Sequence, residues 1–177
     1  MMTYRNIQDL KAAGVRFKSS FTRRPKDINF YEGWLTAKLI LPEIVVDDTS
    51  ATTFLNLIAY EMCPDFENDY GICSFAAFID SLIEDPEDVK VLRSKGILLN
   101  SLGSDEELVN FFKIISTDVV PNREIYYEVR RKINEHYSNS YKTWIAMSFH
   151  TYFSIAAVIA LALTFIQTWF TVYPPNK

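Results

Sequence analysis

From Thr143 to Tyr173 the chain carries no Asp, Glu, Lys or Arg. Its centre reads YFSIAAVIALALTFIQTWFTVY over 152–173. At about 1.5 Å per residue, such a run makes a helix of roughly 33 Å, enough for a ~30 Å hydrocarbon slab. Aromatic residues stand at both ends: Tyr152 and Phe153 before the run, and Trp169, Phe170 and Tyr173 after it. Aromatic belts of this kind sit at lipid headgroups. The alternative is a buried core helix, but a chain of 177 residues would struggle to surround one of that length. The stretch is therefore predicted to be a transmembrane helix, with those five aromatics as its membrane anchor.

The flanks set an orientation. Arg130, Arg131, Lys132 and Lys142 precede the stretch and only Lys177 follows it, which predicts a cytoplasmic N-terminal body. The first ten residues contain no apolar signal region. The reading is a single-pass, tail-anchored membrane protein, with the plasma membrane favoured over the endoplasmic reticulum. Residues 1–149 form the body, 150–173 the span and 174–177 a short tail. Within the span Ala156, Ala160 and Thr164 recur every four residues, and Gln167 extends that face. Small residues at this spacing let two helices approach closely, so this face is the candidate contact for a homo-oligomer.

The body is unevenly charged. Residues 1–26 hold seven bases against Asp9, whereas between Lys38 and Lys90 lie twelve acids and no base. The two segments either compensate each other within the fold or meet outside partners of opposite charge. An overall charge of −4 argues against a general nucleic-acid binder, so no nucleic-acid partner is expected. The expected partners are the lipid bilayer and another protein.

Local pattern predicts mainly α structure with a small β-hairpin element. A short helix over 4–13 ends at Gly14. Strands follow over 15–22, 27–32 and 34–41, with a turn at Gly33 and an edge at 44–46. The run DDTS at 47–50 supplies N-cap residues for a helix bearing Phe54, Leu57, Ile58 and Glu61. A further helix covers about 68–84. Asp85 precedes Pro86 as a cap, and Ser104 with Glu107 forms a capping box. The final helix of the body, from Asn122 to about Phe149, carries Ile125, Val129, Ile133 and His136 on one stripe.

These caps give the acids structural work. Cys63 and Cys73 read as reduced, packed thiols, and His136 as a packing residue without a second ligand at matching spacing. The chain has no CxxC, HExxH, GxSxG or Gly-rich phosphate loop. No catalytic residue, metal or cofactor is expected, and the protein is not expected to be an enzyme. The competing reading is a hydrolase with an acidic site within 43–88.

Several blocks taken together carry a resemblance. They are DLKAAGVRFK at 9–18, DINF at 27–30, FLNLIAYEMC at 54–63, FIDSLI at 78–83, DVKVLRSKGI at 88–97, LGSDEELVNFF at 102–112 and AVIALALTFIQTWFTVY at 157–173. In this order they resemble the C-terminal half of the plant "domain of unknown function 247" family. The resemblance implies a plant membrane protein of unassigned activity. Some grass members act in pollen–stigma self-incompatibility, which implies recognition or signalling through protein contacts. The family's usual N-terminal half, with its Gly-Pro-His-His-Gly-like block, has no counterpart here, so a truncated, non-functional paralogue is a further alternative.

Overall fold

The computed structural model describes residues 6–33, 36–65, 69–101, 103–139, 159–164 and 166–168. The chain divides into two units, Met1–Tyr137 and Ser138–Lys177.

The first unit begins with helix α1, Ile7–Ala12, whose N-cap Asn6 accepts a 2.8 Å hydrogen bond from the Asp9 amide. Gly14, at φ +80°, turns the chain out of it into a conformation that costs a glycine little. Strand β1, Val15–Ser19, then alternates strictly: Val15, Phe17 and Ser19 are buried while Arg16 and Lys18 face solvent. Strands β2, Asn29–Glu32, and β3, Ala37–Leu41, pair antiparallel. Their turn is closed by Gly33 N–H donating to Thr36 O at 3.0 Å. Strand β3 also takes β1 as a parallel partner, so the sheet order is β1-β3-β2. Ala37, Leu39, Leu41 and Phe30 join Val15 and Phe17 on the covered face.

A second, two-stranded parallel sheet joins β4, Ile44–Val46, to β5, Leu98–Asn100. Between them run α2, Ser50–Glu61, α3, Gly71–Asp80, and α4, Pro86–Ser94. Helix α5, Asp105–Ser116, follows β5, and helix α6 covers 127–139. The core lies where these helices meet. Phe78, Leu92, Ile97, Leu108 and Phe112 are essentially removed from solvent. Phe111 bridges outward, edge-on to Phe112 at 5.0 Å and to Phe54 of α2 at 5.9 Å between ring centroids. Tyr126 lays its ring 4.9 Å from that of Phe78, and its hydroxyl donates to Pro25 O at 2.9 Å.

Two expectations are corrected. The architecture is mixed α/β with two small sheets, not mainly α with one hairpin. The hairpin exists as β2–β3, but β1 and the β4–β5 pair add parallel ladders. Parallel partners distant in sequence leave no local turn signal, and a three-residue strand has no readable period.

The second correction concerns the membrane. Among the described residues no helix is long and apolar enough to cross one. In the second unit the described helical residues are 159–164 and 166–168. The transmembrane helix, the tail anchor and the single-pass membrane localisation with a cytoplasmic body therefore do not stand. Tyr152, Phe153, Ala156, Trp169, Phe170 and Tyr173 lie outside the described residues, as does the expected part of α6 beyond 139.

Candidate functional site

The twelve acids of 43–88 were the sequence's strongest hint of chemistry, and the structure disperses most of them into structural roles. Asp47 accepts from Thr49 N–H and Oγ1 and from Ser50 Oγ, which hold its carboxyl below the usual range and organise the start of α2. Asp85 caps α4 by accepting from the amides of Glu87 and Asp88. Asp88, fully buried, accepts from the amides of Gln8, Glu84 and Asp85 and so ties α1 to α4. Burial pushes its carboxyl upward against the pull of those amides. Glu43 pairs with Arg23 at 2.9 Å and Asp69 with Lys26 at 3.3 Å. Both pairs join the basic start to the acidic middle, so part of the charge asymmetry is compensated internally.

Glu61 does something the sequence did not announce. Helix α3 begins after Tyr70, which has a left-handed backbone and no capping side chain. From the last turn of α2, Glu61 supplies the missing acceptor, taking hydrogen bonds from the amides of Ile72 at 2.8 Å and Cys73 at 2.9 Å. The Cys73 thiol is pushed up to about 11, first by burial and then by the hydrogen bond and charge of Glu61. Such a thiol is protonated at neutral pH and is a poor nucleophile. Cys63 is half-buried, and both cysteines are free.

His136 is buried on α6 against Phe30, 5.7 Å between centroids. Its Nε2 lies 3.1 Å from Ala13 O and its Nδ1 3.0 Å from Glu32 Oε1. Both nitrogens face oxygens that only accept, a carbonyl and a carboxylate, and the ring pins α6 to the turn after α1 and to the end of β2. Among the described residues no group of three or more His, Cys, Asp or Glu could hold a metal ion.

What the acidic segment leaves exposed is a surface. Of the twelve residues of α2, the only buried ones are Ser50, Ile58 and Glu61. The outward residues are Thr52, Thr53, Leu55, Asn56, Leu57, Ala59 and Tyr60, none of them charged. Leu57 and Tyr60, three apart, share one flank and retain 43% and 53% of their exposure. Leu55 and Ala59, four apart, share the other. A solvent-facing helix ordinarily turns charged residues outward; here the charges stand beyond the two ends, at Asp48 before the helix and Asp65 after it, both exposed.

Of the residues expected to form a helix–helix contact, the structure describes Ala160, Thr164 and Gln167. The hydroxyl of Thr164 donates to Ala160 O at 2.8 Å along its own helix, and Thr168 repeats the bond to Thr164 O. Ala160 and Thr164 thus share a face, as their spacing predicts.

The geometry defines a small mixed α/β protein with an uncharged helical surface bordered by acids. Residues 1–168 match DUF247, described as a plant protein of unknown function, and the chain belongs to that family. Among curated relatives it is 31% identical to UPF0481 protein At3g47200 of Arabidopsis thaliana, across 90% of this chain and 35% of that protein. It is 26% identical to UPF0481 protein At3g02645 of the same plant, across 97% of this chain and 34% of that protein. The chain therefore spans about a third of the length of these relatives. No solved structure matches.

Proposed function

We propose that this protein is an interaction module, working through protein contacts and without catalysis, and that α2 is its docking surface. The observation that carries this reading is the uncharged exterior of α2. Leaving Leu55, Leu57, Tyr60 and Met62 in water forgoes apolar burial worth about 25 cal/mol per Å², which a partner recovers. The occupant that fits is an amphipathic, basic peptide segment. Its apolar side would lie along α2, and its cations would meet Asp48 and Asp65 at the helix ends. The absence of any base between Lys38 and Lys90 leaves that complementarity intact along the chain. Against catalysis stand the capping and bracing roles of the acids and the raised thiol of Cys73.

The test is calorimetric titration of the full chain with a 14-residue amphipathic peptide of leucine and lysine. Replacing Leu57→Glu and Tyr60→Glu together should weaken binding at least about tenfold. The same variant should stay folded, because both side chains keep about half of their exposure. Equal binding by parent and variant would remove α2 from the reading.

A further inference from the structure

A second surface, on the opposite charge, lies on the solvent face of the three-stranded sheet. Arg16 of β1 and Lys38 of β3 are register partners, both exposed, so two cations stand directly opposite each other. Like charges in that position destabilise a sheet. Lys18 lies two residues along on the same face, its row completed by Ile40 and Asn29. Tyr31 is the antiparallel partner of Lys38 and is 57% exposed. None of the three cations forms an ion pair among the described residues, although nearby Arg23 and Lys26 do. Charged side chains on an edge strand guard against aggregation. That account does not reach Lys38, which sits on the central strand.

The same face ends in an open cleft of about 380 Å³. Beyond Lys18, Ser20, Thr22 and Asp27 line it, the Thr22 hydroxyl donating to Asp27 Oδ2 at 2.6 Å. Phe21 stands at its rim in a left-handed backbone, φ 57°, and is 81% exposed. Its amide donates to Ser19 Oγ at 3.1 Å, which helps hold that conformation.

We propose that this sheet face binds an extended acidic peptide segment with carboxylates at alternating positions. Alternate side chains of an extended chain recur every ~6.6 Å, which is the spacing between the Arg16–Lys38 row and the Lys18 row. The Asp27 carboxylate at the end of the face, with an overall charge of −4, disfavours a polyanion charged at every step, such as a nucleic-acid backbone, over a short segment with alternating carboxylates. This surface is separate from α2 and stands whether or not the α2 reading does.

A fluorescein-labelled decapeptide of alternating Glu and Ser, titrated into the full chain, tests it by anisotropy. The parent should bind, more weakly as salt rises. The triple variant Arg16→Gln, Lys18→Gln, Lys38→Gln should lose at least about tenfold in affinity. Its melting temperature should hold or rise by about 1–3 °C, because repulsion is relieved. Should the triple variant fail to fold, Lys38→Gln alone carries the test, with a smaller loss. A control variant, Lys90→Gln with Lys95→Gln, should bind like the parent. No binding by the parent, or equal binding by the triple variant, overturns the proposal. So does tighter binding of a ten-residue oligothymidylate or of phosphatidylserine vesicles, or self-association that the triple variant abolishes.

Discussion

Asp88 shows how far one side chain organises this protein. It lies at the third position of α4, where Asp85 and Pro86 already announce a helix start. The sequence accounts for its bond to the Asp85 amide, but its bond to Gln8, eighty residues away, comes from the fold. Asp88→Ala would leave three backbone amides without their acceptor inside the core. The expected loss is about 2–4 kcal/mol, read from the urea midpoint. The pH profile supplies a second readout. Burial raises the folded carboxyl above its unfolded range, so the folded chain holds that proton more tightly. Its contribution to stability therefore increases as pH falls through the raised value toward the ordinary carboxylate range, and the variant should lack that component. His136 was legible as a packing residue for a similar reason. A lone histidine on an apolar stripe has no second ligand nearby, whereas its acceptors Ala13 and Glu32 became visible only once α6 was placed.

At the scale of elements, capping chemistry was the most legible feature. The cap at Asp85 and the box at Ser104–Glu107 are found as their spacing predicts, and Asp88 closes the first into a box as well. A capping box is made within four consecutive residues, so no tertiary information is needed. Helix α3 is the counterexample, because its acceptor arrives from the preceding helix. Glu61→Ala should shorten or fray the start of α3 and cost about 1–3 kcal/mol by urea unfolding. In the same variant the Cys73 thiol should titrate below about 11 yet remain above its ordinary range, since burial is the larger cause. A variant as stable as the parent would show that water replaces Glu61 at those amides.

At the scale of the whole molecule, two surfaces of opposite character share the unit Met1–Tyr137. The α2 exterior carries no charge and is bordered by acids, and the sheet face carries three cations. Residues that share no partner act additively. Leu57→Glu with Tyr60→Glu should therefore leave the Glu/Ser peptide affinity unchanged. The sheet variant should likewise leave the Leu/Lys peptide affinity unchanged, with both titrations run on the combined variant. Cross-effects above about threefold would mean that the two faces form one site.

The charge-free stretch of 143–173 marks the boundary between what composition states and what structure decides. Its hydropathy is a property of residue types and is legible in the chain alone, whereas among the described residues no helix is long and apolar enough to cross a membrane. Family membership, the helix caps and the alternation of β1 were all written locally, in residue identity and short spacing. The parallel ladders, the bond from Asp88 to Gln8, the cap given by Glu61 and the pairing of Arg16 with Lys38 were decided only by the tertiary structure. Each joins residues whose separation along the chain carries no signal of their proximity in space, because loop closure and packing, not local propensity, bring them together.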